Sequence, residues 1–353
     1  MGKWTRSVFQ LATSMIAMAE SGRLPDSVVR AGMRRLLRSR RQQISANSLE
    51  VRARRLNDFI AELSKGPVAH VPEKANEQHY EVPADFFVAS LGRHLKYSCC
   101  YWDDGTSNLD QAEASSLQRT CETAQLHDGH SILELGCGWG SLTLWMAEHF
   151  PNSSILAISN SASQKAHIEQ QARQRGLANV RVHTCDINDF QPSDTFDRVV
   201  SVEMFEHVRN HCELMKRVAT WLNPDGKLFV HIFCHDRETY PFEDEGASSW
   251  MARNFFSGGI MPGRDLLLRY QQHLSLEKQI VWDGTHYEKT SNAWLETMDR
   301  HSSAVEACFS KAYGDDWQIW RQRWRMFYMA CAELFGYNNG KEWYVSHYVF
   351  RKK

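Results

Sequence analysis

The sequence predicts an α/β fold, a parallel sheet with a helical extension before it and a helical lid inserted near its end. Three observations predict it. Between residues 131 and 235, short apolar runs alternate with helical segments of about ten to fifteen residues, which is the pattern of βαβ units. Three glycines, Gly136, Gly138 and Gly140, cluster where the first strand should turn into a helix. After His235 the alternation stops, and helical stretches lead to one last strand-like run.

In chain order, residues 1–75 read as a helical extension and 76–353 as the main domain. Lys3 and Arg6 precede an apolar run from Ser7 to Ala19 that loosely mimics a signal peptide. Gln10, Thr13 and Ser14 interrupt it, and it is too short to span a bilayer, so a helix is expected. From Arg23 to Arg55 ten arginines stand against Asp26 and Glu50. Val28, Val29, Met33, Leu36 and Leu37 recur at helical spacing and give this stretch one apolar stripe. Packing on the main domain is the expectation, and peripheral membrane contact through the basic face is the alternative. Gly66-Pro67 and Pro72 mark a linker.

Pro83–Phe87 and Leu109–Leu126 read as helices. Strands are expected at Ser131–Leu135, Ser154–Ser159, Val180–Thr184, Phe196–Phe205 and Lys227–His235, with helices at Ser141–Phe150, Ser163–Arg175 and Asn210–Leu222. Residues 236–263 look irregular. Helices follow near 264–273, 291–312 and 317–335, and Trp343–Phe350 closes the sheet. Residues 236–335 thus include the lid over a ligand. The aromatic positions Trp317, Trp320, Trp324, Phe327, Tyr328 and Phe335 have core spacing.

A formal net charge of −1 over 353 residues gives no global attraction to nucleic acid. The nine cysteines form no CxxC pair, which predicts free thiols in a reducing cytoplasm. No HExxH or similar cluster suggests a metal.

The sharpest motif is Glu134-Leu135-Gly136-Cys137-Gly138-Trp139-Gly140. A dinucleotide fingerprint would need glycine where Ser141 stands and an acid about 20 residues on, where the chain has Ser159-Asn160-Ser161. A phosphate loop would need Gly-Lys-Ser/Thr, which is missing. Glu134 beside the loop would repel a pyrophosphate but could orient the amino group of a sulfonium amino acid, and Asp186 after the third strand suits the same phosphate-free cofactor. S-adenosyl-L-methionine is therefore the expected cofactor.

With these residues in view, the chain resembles the cyclopropane-fatty-acyl-phospholipid synthase and coclaurine N-methyltransferase family from about residue 15 onward. The resemblance rests on Tyr97-Ser98-Cys99-Cys100-Tyr101-Trp102, Leu135–Gly140, Ser161-Ala162-Ser163-Gln164 and Phe196–His207. The ending Leu334–Gly340 with Glu342-Trp343 is similar to the coclaurine branch. It implies a Rossmann-like class I sheet and carries the cofactor contacts onto this chain. Tyr97 and Ser98 should lie over the methionine part with Gly136 and Gly138 against it, Asn160 and Gln164 near the ribose, and Asp186 with Ile187 at the adenine.

On the acceptor side, Glu203, Glu206 and His207 leave the fourth strand together at the carboxyl edge of the sheet, where ligands bind. The coclaurine branch implies a small-molecule amine, with Glu203 binding the ammonium and either Glu206 or His207 as the base. The cyclopropane branch implies unsaturated phospholipid chains and a bicarbonate held at Cys99, Glu206, His231 and Tyr287. The family also marks Cys331 as an active-site candidate, although its apolar helical setting favours a buried structural thiol. Amine methylation is the leading expectation, lipid cyclopropanation the alternative, and a cofactor-binding protein without turnover the non-enzymatic one.

Overall fold

A computed structural model describes residues 15–45, 48–69, 82–242, 250–256 and 258–353. The start of the leading apolar run and the linker at Pro72 lie outside the described residues. Helices α1 (Asp26–Ile44), α2 (Leu49–Leu63), α3 (Ala84–Ser90) and α4 (Leu109–Thr123) come first. The alternation is β1 (Ser131–Leu135), α5 (Ser141–His149), β2 (Ser154–Ser159), α6 (Ala162–Gln174), β3 (Val180–Thr184), β4 (Phe196–Val202), α7 (His211–Trp221) and β5 (Leu222–His235). A small ribbon of β6 (Tyr240–Pro241) and β7 (Ile260–Met261) brackets α8 (Trp250–Asn254). The chain then runs through β8 (Leu274–Trp282), α9 (Gly284–Arg300), α10 (Ser302–Tyr313), α11 (Trp317–Phe335) and β9 (Trp343–Lys352).

Seven strands form one sheet in the order β3-β2-β1-β4-β5-β9-β8. Neighbours from β3 to β5 are parallel, and β9 enters antiparallel between β5 and β8. The expected α/β class holds. Ile132, Leu133, Leu135, Val199 and Val200 are fully buried, because an inner parallel strand is covered on both faces and so reads as a continuous apolar run. The helix starts are marked locally: the Asn108 side chain accepts from Gln111 N, and Ser161 accepts from Gln164 N.

Two expectations fail beyond β5. The helix expected near 264–273 is only a 3-10 turn, Leu267–Arg269, and β8 follows it unforeseen. A register shift between Leu276 and Lys278 breaks the strand's alternation, and Glu277-Lys278 give this edge strand charges that resist further pairing. The single helix expected over 291–312 is two, α9 and α10, parted at His301.

The basic extension packs on the main domain, as expected. Arg30 and Arg34 of α1 both reach Glu333 of α11, at 3.2 and 2.9 Å, and Arg41 reaches Glu342 at 3.0 Å. Arg325 of α11 grips Asp26 at the start of α1 and Asp299 of α9. The apolar stripe turns only partly inward: Val29 is buried, whereas Val28 and Leu36 are 42% and 50% exposed. All nine cysteines are free. Among the described residues no helix is long and apolar enough to cross a membrane.

Candidate active site

At the end of β1 the chain turns through Gly136, Gly138 and Gly140, with φ of +79°, +51° and +82°. A Cβ at Gly140 would stand 2.6 Å from Ile168 Cγ1 of α6, so only glycine lets α5 begin this close to its neighbour. At Gly138 a Cβ would meet nothing within 4 Å, and this backbone lies open to a cavity of about 1410 Å³. Glu134 accepts the Thr143 hydroxyl at 2.5 Å, and its burial pushes its carboxyl up to about 8.

Beyond β2, Ser159 donates to Gln164 Oε1 at 2.6 Å. That leaves Gln164 Nε2 buried without a partner among the described residues, and Ser141 Oγ of α5 is in the same condition. Asn160, Asp186 and Ile187 line the cavity after β2 and β3, and Tyr97 and Ser98 line it from the segment before α4. Buried polar groups are ordinarily satisfied, so unpaired ones facing a cavity fit a polar ligand. The residues thus suit the adenosyl, ribose and amino-acid parts of the expected cofactor.

The cavity continues past the loop into an apolar half walled by Met33 and Leu37 of α1, Trp250 of α8, Phe256, and Phe327 and Phe335 of α11. A single ligand pocket rarely exceeds roughly 1,000 Å³, so a cavity of about 1410 Å³ has room for two ligands side by side.

Between the halves stand Glu203, Glu206 and His207. Glu203 follows β4 with φ of +48°, a strained conformation for a residue with a side chain. Its Oε1 accepts the Cys99 backbone N–H at 2.9 Å and lies 3.2 Å from His231 Nε2, while Oε2 accepts the Tyr287 hydroxyl at 2.6 Å. Burial raises this carboxyl, and Lys96, the Cys99 N–H and Tyr287 oppose the rise. Lys96 is itself only 2% exposed and donates to Ser98 Oγ and Cys99 O, both at 2.6 Å. Glu206 sits in the 3-10 turn Phe205–His207, with Oε2 unpartnered among the described residues. Its burial, then the charge of Glu203, push it well above the usual carboxylate range. The His207 ring stacks on Phe256 with centroids 5.0 Å apart, and burial lowers its pKa to about 4.

Here the structure corrects the bicarbonate expectation. The acid that joins Cys99, His231 and Tyr287 is Glu203, not Glu206. Cys99 contributes its backbone N–H, while its thiol contacts Cys100 O at 3.5 Å. A carboxylate of the chain thus occupies the donors that the cyclopropane resemblance assigns to bicarbonate, and the site does not fit that ion. The Cys331 thiol lines the cavity wall and is pushed up by burial and then by Glu203, which disfavours the thiolate that a nucleophile needs. Sequence reasoning missed Lys96 and His347. A lysine directly before Tyr97 and a histidine within the apolar run of β9 were visible, but only the fold puts them beside Glu203 and His231.

The mycolic acid cyclopropane synthetase family model matches residues 69–343. The chain belongs to this family. It is 35% identical to (S)-coclaurine N-methyltransferase of Thalictrum flavum subsp. glaucum over 357 residues, covering 100% of this chain and 99% of the relative. Cyclopropane-fatty-acyl-phospholipid synthase of Escherichia coli (strain K12) is 29% identical over 263 residues, covering 69% of this chain and 66% of the relative. A crystal structure of coclaurine N-methyltransferase bound to N-methylheliamine and SAH superimposes with a TM-score of 0.93 at 32% identity, covering 96% of this chain and 99% of that one. The cyclopropane synthase MmaA2 from Mycobacterium tuberculosis, at 21% identity and a TM-score of 0.68, covering 81% of this chain and 99% of that one, shares the fold. Within the family this chain is an S-adenosylmethionine-dependent methyltransferase.

Proposed function

We propose that this methyltransferase moves a methyl group from S-adenosylmethionine to the nitrogen of a small apolar amine. The observation that carries the choice of acceptor is the Glu203 carboxylate, which saturates the Cys99, His231 and Tyr287 donors inside an otherwise apolar chamber. A buried carboxylate to which, among the described residues, no lysine or arginine is bonded suits a cationic acceptor.

The donor supplies an electrophilic methyl on a sulfonium. The protein's part is positioning, which can contribute about 7–11 kcal/mol when nucleophile and electrophile are held in line. Glu203 receives the ammonium form of the acceptor. The positive charge that arrives lets Glu206 give its proton to bulk water as the acceptor enters, and the resulting carboxylate then takes the N–H proton, freeing the lone pair for attack. Glu206 is a better acceptor of that proton than His207, since burial strengthens the proton affinity of the carboxylate and weakens that of the imidazole. His207, neutral above about pH 4, orients the acceptor from its stack on Phe256. Residues 236–335, through α8 and α11, act as the acceptor-side lid, and α1 closes the same chamber. The nine free cysteines support work in the reducing cytoplasm.

The test offers methyl-labelled S-adenosylmethionine with primary and secondary amines, and separately with vesicles of unsaturated phospholipid. One labelled methyl on an amine nitrogen is the expected product. Label in the lipid as an added methylene, with a double bond lost, would overturn the proposal in favour of acyl-chain cyclopropanation.

A further inference from the structure

Before α4 the chain makes a tight turn from Gly92 to Leu95, closed by the Leu95 N–H on Gly92 O at 3.0 Å. Leu95 stands at φ of +50°, a left-handed conformation that a leucine keeps only where its surroundings impose it. Next comes Lys96, whose side chain is bonded to Ser98 Oγ and Cys99 O, and then Tyr97 and Ser98, which line the cavity. The Cys99 N–H ends the run on Glu203 Oε1. The shape of this one turn therefore sets how the segment faces the cavity.

One side chain holds that shape. Glu113 of α4 is 0% exposed and does not line the cavity. Its Oε1 accepts the N–H of Gly92 at 3.0 Å and that of Lys96 at 3.2 Å, and its Oε2 accepts the N–H of His94 at 2.7 Å. The His94 and Lys96 bonds bracket the strained Leu95 on either side. On the same face of α4, Asp110 takes the Arg93 N–H at 2.8 Å, and Ser116 donates to Cys99 O at 3.3 Å. The approach is close, because a Cβ at Gly92 would stand 2.7 Å from Glu113 Cδ and 2.9 Å from Asp110 Oδ1. The Gly92 backbone lies outside the left-handed region, so it is room for the carboxyl that requires glycine there.

We infer that Glu113 is a positioning residue for the methyl donor: from outside the cavity its carboxyl holds the Gly92–Leu95 turn in the strained form that lays Tyr97 and Ser98 against that ligand. A segment already held in its binding shape spares the donor the cost of ordering it, so the carboxyl contributes to donor affinity without touching the donor. The inference takes the donor to lie against Tyr97 and Ser98, and it holds for any acceptor.

The test titrates S-adenosylmethionine calorimetrically into Glu113→Gln, Gly92→Ala and the unaltered enzyme, with no acceptor present. Glutamine sets an NH2 group where a carboxyl oxygen met an N–H, and alanine pushes the turn off the carboxyl. Each should raise the donor Kd about tenfold, the weight of one buried N–H left unpaired. In Glu113→Ala the carboxyl that a Cβ at Gly92 would strike is gone, so adding Gly92→Ala there should cost less affinity than it does alone. A merely structural role would lower the unfolding midpoint and the number of competent sites per chain while leaving Kd unchanged, and that result overturns the inference. Should the variants not fold, hydrogen exchange in the unaltered enzyme decides instead. A turn that favours the donor must in return be favoured by it. Saturating donor should therefore slow the amides of Gly92, His94 and Lys96 more than those of β8, at the far edge of the sheet. Equal slowing at both places overturns the inference.

Discussion

Tyr287 and Glu203, 84 residues apart in sequence, meet at 2.6 Å, the phenol hydroxyl donating to Oε2 of the carboxylate. A charge-assisted bond of this kind is worth about 1.5–3 kcal/mol. It ties α9, which belongs to the insertion, to the end of β4, so the lid and the sheet share one polar joint.

Cutting that joint should weaken the counter-charge. Tyr287→Phe is expected to raise KM for an amine acceptor at least about tenfold, since each 1.4 kcal/mol is a factor of ten, with donor affinity little changed. Glu203→Gln should raise it further. Acceptor KM and donor Kd measured side by side check this, and an unaltered acceptor KM in Glu203→Gln would remove Glu203 from acceptor binding.

Glu206 should affect the rate more than binding. Glu206→Gln keeps the shape and removes the proton acceptor, so kcat should fall by about 10²–10⁴, the usual weight of general base catalysis. Single-turnover rates at saturating acceptor test it. A kcat within threefold of the unaltered enzyme would pass the base role to His207.

Donor binding should release a proton. Burial disfavours the charged form of Glu134 and pushes its carboxyl up to about 8. A ligand ammonium nearby favours the carboxylate and lowers that value, so between about pH 6 and 8 binding expels a proton and affinity rises with pH. Calorimetry in buffers of different ionisation enthalpy should show the release in the unaltered enzyme and none in Glu134→Gln.

The wall built by α1 predicts an effect on acceptor size. Met33 packs against the core and lines the apolar half of the cavity. Met33→Trp should lower kcat/KM for bulky amines while leaving small ones and the donor Kd almost unchanged. A uniform loss across acceptor sizes would count against α1 as part of the chamber.

Loosening α1 should add to this. Arg325 is bonded to both Asp26 and Asp299, so Arg325→Met leaves α1 held mainly by the arginines on Glu333 and Glu342. These remaining pairs are partly exposed and therefore screened by salt. Acceptor KM in the variant should rise with ionic strength more steeply than in the unaltered enzyme, as titration with sodium chloride would show.

Much of this architecture was legible in the residues. The strands at Ser131–Leu135, Ser154–Ser159 and Val180–Thr184 fall where their apolar runs lie, since an inner parallel strand advertises itself by composition. Strand β8 was illegible because a register shift and two charges erase its period. The motif residues around Gly136–Gly140 and Glu203–His207 were found from spacing and resemblance, and they face one cavity. What sequence could not supply was which acid completes the Cys99, His231 and Tyr287 set. That depends on the positive φ of Glu203, which turns its side chain one way while Glu206, three residues on, takes another course.

The cavity draws its two kinds of lining from different parts of the chain. Loops at the strand ends carry the groups that handle charge, whereas α1, α8 and α11 carry most of the grease. Such a division makes the enzyme evolvable in a particular way. Drift in the first helix can redraw the guest list while the chemistry at the sheet stays under separate selection. A laboratory seeking new acceptors should accordingly randomise α1 before touching any residue that bonds to Glu203.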